Sequence, residues 1–151
     1  CKAFGCTVLA YNRSKITDAS VDRQVSLEEL LSSADIVSLH CPLTAETKGM
    51  IGKEQLAQMK KTAFLINTAR GGVVDQDALA AALSDGQIAG AALDVFDKEP
   101  PLPEDHPLLH APNTIVTPHI GFASVESLEQ RADIVFENLY SWLEGRQLNA
   151  V

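Results

Sequence analysis

The stretch Leu65-Ile66-Asn67-Thr68-Ala69-Arg70-Gly71-Gly72-Val73-Val74-Asp75 decides how this chain folds. An apolar, β-like run ends in a single arginine, two glycines follow, and a helix-like pattern begins after Asp75. A strand that delivers a cation to a tight turn before a helix belongs at the carboxyl edge of a parallel sheet, where α/β proteins bind ligands. Arginine at such an edge can grip a carboxylate through two parallel hydrogen bonds. The competing reading is a solvated arginine near a helix start. The glycine pair speaks against it, because glycines there allow a backbone to approach a ligand closely.

Working outward, β-rich runs at residues 7–11, 35–39, 63–67, 89–95 and 114–117 alternate with helical patterns. Ser26 with Glu29 three positions on reads as a capping-box helix start. Further helices are expected over residues 53–59 and 76–83, the latter stopped near Gly86, and a long amphipathic one over residues 124–145. Residues 99–113, rich in proline and polar side chains, read as a surface connection. Strands alternating with helices predict an α/β fold, a Rossmann-like, doubly wound parallel sheet covered on both faces. Residues 1–5 read as the tail of a helix with Gly5 as its stop. The glycine-rich turn that precedes such a helix in a dinucleotide-binding unit occurs nowhere in the sequence, so the sheet is expected to be truncated on its N-terminal side.

At 151 residues and 46% hydrophobic, the chain fits one compact domain with a sizeable core. A net charge of −8 with no offsetting basic run argues against a nucleic-acid or anionic-membrane partner. Cys1, Cys6 and Cys41 are an odd set without metal-ligand spacing, which suits free thiols in a reducing, cytoplasmic setting. No apolar run is long enough to span a bilayer, and no metal site is expected. His106 and His110 stand four apart, but Pro107 lies between them and a third ligand is wanting, so a loop reading is preferred.

Three further residues have the chemistry of a reactive site. His119, in Thr117-Pro118-His119-Ile120-Gly121, titrates near neutral pH and could donate a proton to a carbonyl oxygen; a structural histidine at a strand end is the equal alternative. Glu99 could hydrogen-bond that imidazole, favour its protonated form and fix which nitrogen faces a substrate, although a Glu-Pro pair in a loop is most often a turn. Asp94 ends a strand of small apolar residues, where an acid commonly caps a helix or faces solvent.

Taken in order, Leu39-His40-Cys41-Pro42-Leu43-Thr44, Asn67-Thr68-Ala69-Arg70-Gly71-Gly72, Ala92-Leu93-Asp94-Val95-Phe96-Asp97-Lys98-Glu99-Pro100 and Thr117-Pro118-His119-Ile120-Gly121 resemble the motifs of the D-isomer-specific 2-hydroxyacid dehydrogenases. The likeness runs over essentially the whole chain. Residues 118–123 and 137–145 look most like the glycerate dehydrogenase, or hydroxypyruvate and glyoxylate reductase, branch. Phosphoglycerate dehydrogenase is the close alternative, and a corepressor-like, nucleotide-sensing scaffold is the alternative from another class.

The resemblance implies hydride transfer between NAD(P)H and a small 2-oxo or 2-hydroxy acid. Arg70 would bind the carboxylate, His119 would supply the proton, and Glu99 would tune His119. Asp94 would orient the nicotinamide carboxamide. Cys41, Pro42, Thr47, Thr68, Ala69 and Gly121 would line the cofactor site with Arg70 and His119. Asn12, Arg13 and Ser14 follow the strand expected to face the adenosine ribose. An acid at that turn would bond the 2′-hydroxyl and repel a 2′-phosphate. Asn12 stands where the family usually has aspartate, and a neutral-to-basic turn leans the cofactor toward NADP rather than NAD. Residues 1–121 are then expected to be a partial NAD(P)-binding domain, and residues 122–151 a helix and tail packing toward an absent substrate domain. Homodimer formation is likewise implied by the resemblance alone.

Overall fold

The computed structural model describes residues 1–98 and 101–150; Glu99, Pro100 and Val151 lie outside the described residues, and with Glu99 goes one of the three expected catalytic groups. Six strands and five α-helices alternate through the described chain: β1 (Leu9–Ala10), β2 (Arg23–Gln24), α1 (Leu27–Ser33), β3 (Ile36–Leu39), α2 (Lys53–Gln58), β4 (Phe64–Asn67), α3 (Gln76–Ser84), β5 (Gly90–Leu93), α4 (Pro107–His110), β6 (Thr114–Val116) and α5 (Val125–Leu143). All pairing is parallel, in a four-stranded sheet of order β3-β4-β5-β6 and a separate β1-β2 pair. This is the Rossmann-like α/β architecture that the alternation predicts. By its contacts the chain divides into two compact units, Cys1–Pro118 and His119–Val151. The second unit begins at His119.

In the first unit the register explains the core. Val37 lies beside Leu65 and Ala91, and Leu39 beside Asn67 and Leu93, so these side chains share one face of the pleated sheet. That face is buried against Leu31, Leu56, Leu79 and Leu108, one from each of α1 to α4. The other face presents Ile36, Phe64 and Ile115 to solvent. The expected covering on both sides is thus present on one side within this unit.

Local signals set the element ends. Ser26 caps α1 by accepting from the Glu29 N–H at 3.1 Å. The reciprocal half of the expected capping box is absent, because the Glu29 carboxylate pairs with Arg23 instead. Asp75 caps α3 through the Ala78 N–H at 3.0 Å, and Gly86 follows the helix in a left-handed turn with φ 63°. The segment expected to be a plain surface connection contains α4, with Pro107 in its first turn. Its two histidines hold that turn: His106 Nδ1 accepts from the Leu108 N–H, and His110 Nε2 bonds the Glu104 carbonyl at 2.7 Å.

In the second unit, Ser124 and Ser127 exchange side-chain and backbone hydrogen bonds at 3.1 Å each, a capping box at the start of α5. Its 19 residues carry exposed Leu128, Val135, Phe136, Leu139, Trp142 and Leu143. No helix among the described residues is long and apolar enough to cross a membrane.

Candidate active site

The carboxyl ends of β3 and β4 lie side by side, since Leu39 pairs with Asn67, and the loops that leave them meet. His40, Cys41 and Pro42 from one loop and Thr68, Ala69 and Arg70 from the other line a cavity of about 380 Å³. Five of the expected site residues are brought together here. His40 joins them although the sequence reading gave it no role; its ring Nε2 lies 2.9 Å from Ser38 Oγ. Thr47 is not among the lining residues. Its hydroxyl donates to the Pro42 carbonyl at 2.6 Å and accepts from the Thr44 N–H at 2.8 Å, which fixes the shape of the loop behind the cavity.

The turn bearing Arg70 is built on Asn67. That side chain is completely buried at the end of β4. Its Oδ1 accepts from the Ala69 N–H and its Nδ2 donates to the Arg70 carbonyl, both at 3.0 Å. A buried carboxamide so paired satisfies groups that the sheet ladder has released. The two glycines then answer to a different constraint from the one expected. A Cβ on Gly71 would sit 2.0 Å from the carbonyl carbon of Phe96, and one on Gly72 would meet the Leu43 methyls at 3.1 and 3.2 Å. The close approach is to the protein's own backbone and side chains, and it locks the Arg70 turn to the segment that leads toward Glu99.

Arg70 is exposed, and its Nη1 donates to the Ala69 carbonyl at 2.6 Å. No carboxylate among the described residues pairs with it. A guanidinium with no counter-ion among the described residues, lining a cavity, is equipped to take an anion.

Asp94, only 7% exposed, stands at the end of β5. Its N–H donates to the Asn67 carbonyl at 3.0 Å, and its Oδ1 accepts from the Thr117 hydroxyl. The acid is therefore anchored across three strand ends rather than capping a helix. Phe96, Leu102, Leu109, Val116, Thr117 and Pro118 enclose a second cavity of about 290 Å³, mostly apolar.

His119 begins the second unit. It is half-buried, its ring packs edge-on to Phe122 at 5.9 Å, and its backbone sits at φ 56°. A non-glycine residue in the left-handed region carries strain that surrounding structure must hold, and such residues gather at functional sites. Around it, the Ala123 N–H bonds the Ile120 carbonyl at 2.9 Å, Ser127 Oγ donates to the Phe122 carbonyl, and the Arg131 guanidinium lies 4.9 Å over the Phe122 ring.

Asn12, Arg13 and Ser14 are exposed in the turn after β1. Asn12 Nδ2 donates to Ser14 Oγ at 3.0 Å. Gln24, from a strand the sequence reading did not register, donates to the carbonyls of Asn12 and Ser14 and accepts from the Ile16 N–H. A strand of two exposed polar residues carries no periodic signal by which it could be found. The donor set suits a dinucleotide: a cation without a counter-ion among the described residues and a buried carboxylate at one set of strand ends, and a basic turn free of acids after β1.

The family description "D-isomer specific 2-hydroxyacid dehydrogenase, NAD binding domain" matches residues 1–121. A glyoxylate reductase of Korarchaeum cryptofilum is 49% identical over 147 residues, covering 95% of this chain and 44% of that protein. A glycerate dehydrogenase of Methylorubrum extorquens is 45% identical over 153 residues, covering 99% of this chain and 46% of that protein. The crystal structure of a D-isomer specific 2-hydroxyacid dehydrogenase from Lactobacillus delbrueckii ssp. bulgaricus, in its NAD-complexed form, superposes with a TM-score of 0.89 at 36% identity, over 99% of this chain and 50% of that one. The chain thus spans less than half the length of these curated relatives.

Proposed function

Since the chain belongs to the D-isomer specific 2-hydroxyacid dehydrogenase family, we propose that its protein reduces a small 2-oxo acid of the hydroxypyruvate or glyoxylate type, or oxidises the matching D-2-hydroxy acid, with a nicotinamide dinucleotide. The observation that carries this reading is Arg70: one guanidinium, free of carboxylate partners among the described residues, at the mouth of a cavity formed by two adjacent strand ends. It would grip the substrate carboxylate through two hydrogen bonds and set the carbonyl in place. The bound nicotinamide supplies or accepts the hydride. His119 gives its proton to the carbonyl oxygen as the alcohol forms, and takes it back in the reverse direction. To Glu99 we assign the role of bonding that imidazole and fixing which nitrogen faces the substrate.

Asp94, anchored by Thr117 and by the β4 end, orients the carboxamide of the cofactor. Cys41, Pro42, Thr68 and Ala69, which line the cavity with Arg70, would border the cofactor. The turn at Asn12, Arg13 and Ser14 takes the adenosine ribose, and we read it as favouring NADP. No carboxylate stands in the turn to repel a 2′-phosphate, and Arg13 offers that group a counter-charge. Free Cys1, Cys6 and Cys41 fit a reducing, cytoplasmic setting, and a homodimer is the assembly we propose.

The test is steady-state reduction of hydroxypyruvate and glyoxylate by NADPH in the intact protein. Arg70→Lys keeps the charge and loses the planar fork, so kcat/KM is expected to fall about 100-fold. Unchanged kinetics would remove Arg70 from the site and the reading with it.

A further inference from the structure

The turn after β1 contains a device that the proposed function does not use. Gln24 lies on β2 in register with Ala10, the last residue of β1. From there its Nε2 donates to the carbonyls of Asn12 at 3.0 Å and Ser14 at 2.8 Å, while its Oε1 accepts from the Ile16 N–H at 2.8 Å. One carboxamide thus spends both of its amide hydrogens and an acceptor lone pair on a single five-residue turn. The two carbonyls it draws in flank Arg13, so the guanidinium stem leaves the turn from a fixed base. The strand pairing stands without it: the Val25 N–H reaches the Ala10 carbonyl and the Asp22 N–H the Val8 carbonyl, each at 2.9 Å.

Chemistry at the outer side of the turn complements this. Ser14 Oγ already accepts from Asn12 Nδ2, so its own hydrogen is left to give, and no acceptor among the described residues takes it. A hydroxyl donor and a guanidinium on consecutive residues, on a backbone already held, are the donor types of a phosphate-monoester site. Without the staple, the ordering entropy of the turn would fall on the ligand.

We propose that Gln24 is a positioning residue for the 2′-phosphate of NADP: by stapling the turn from Asn12 to Ile16 it presents Arg13 and the Ser14 hydroxyl together, and so sets the preference for NADP over NAD. This rests on the reading of that turn as the adenosine-ribose end of the cofactor site. Gln24 touches no cofactor atom in this account; it acts through the turn. An exposed glutamine on a two-residue strand is thereby a selectivity determinant.

Titration calorimetry on the intact protein with 2′,5′-ADP and with 5′-AMP tests it, because the two probes differ only by the phosphate in question. In Gln24→Met the side chain keeps its length and loses all three bonds. The Kd for 2′,5′-ADP is expected to rise about tenfold, and that for 5′-AMP by less than about twofold. Gln24→Glu keeps the acceptor, loses both donors and sets a charge against two carbonyls, so its loss for 2′,5′-ADP should be greater. Arg13→Ala separates the two levels of the claim. If it weakens 2′,5′-ADP selectively while both Gln24 variants leave the ratio of the two dissociation constants unchanged, Gln24 does not position the site and only the cofactor reading survives. If Arg13→Ala itself leaves the ratio unchanged, the turn does not read a 2′-phosphate, and the assignment of Gln24 falls with it.

Discussion

Two turns at strand ends are each held by one carboxamide, and they sit at opposite ends of solvent access. Asn67 secures the Arg70 turn from a position with no exposed surface, whereas Gln24 secures the Arg13 turn from the outside of a two-residue strand. Removing a buried staple takes the partner from the Ala69 N–H and the Arg70 carbonyl, at about 1–3 kcal/mol for each group left unsatisfied. Removing an exposed one lets water take its place, so order is lost and little stability goes with it. In this design the group expected to meet the substrate carboxylate is tied to the integrity of the fold. The group expected to choose between cofactors is not, and it can change while the fold stands.

The largest break in the comparison is expected at Gly71, which has no counterpart in the Arg13 turn. A methyl group there would overlap the Phe96 carbonyl carbon at 2.0 Å and the Asp97 nitrogen at 2.5 Å. Backbone atoms cannot rotate aside as a side chain can, so Gly71→Ala must push two segments apart. Urea unfolding should show a loss of about 3 kcal/mol or more, together with loss of hydroxypyruvate turnover. A variant within about 0.5 kcal/mol of the parent would mean that the turn is not locked to the Phe96–Asp97 backbone.

Next in size is the contrast between the staples themselves. Asn67→Ala should cost about 2–3 kcal/mol, read as a lower urea midpoint at unchanged m-value. Gln24→Met should stay within about 0.5 kcal/mol, as exposed substitutions generally do. Equal losses at the two positions would erase the distinction between a staple that belongs to the fold and one that belongs to the ligand.

The same distinction explains what the sequence could tell. The Arg70 turn is legible because its neighbours are apolar: Leu65 and Ile66 mark a strand, and the glycines mark the turn. The reason for the glycines was not legible, since it lies in Phe96, 25 residues away in sequence and adjacent only once β4 and β5 pair. Likewise Arg23-Gln24 gives no hydrophobic period, yet the register of that strand decides where the amide of Gln24 lands. Ser26 and Glu29 have capping-box spacing, but Arg23 on the unpredicted strand takes the glutamate. The α4 turn was hidden by its prolines; Pro107 starts the helix instead of breaking it. In each case local chemistry was readable and the partner was not, because the partner is supplied by tertiary pairing.

The smallest effect expected concerns a charge facing the Arg13 turn. The Glu46 carboxyl is held below the ordinary range first by the Thr44 hydroxyl, 2.6 Å away, then by its own backbone N–H and by the positive charge of Arg13. It therefore stays ionised through neutral pH and sets a negative charge against the guanidinium that would meet a 2′-phosphate. Glu46→Gln removes that opposition and should tighten 2′,5′-ADP binding about twofold at low salt, an effect that added salt screens away because both groups are exposed. A lowered carboxyl pKa means the charge is lost only as pH falls through that lowered value, so parent and variant should differ at pH 7 and converge on acidification. Because the Gln24 amide would be intact in this variant, a gain that vanishes with salt separates charge at Arg13 from placement of Arg13, which no ionic strength restores once the staple is cut.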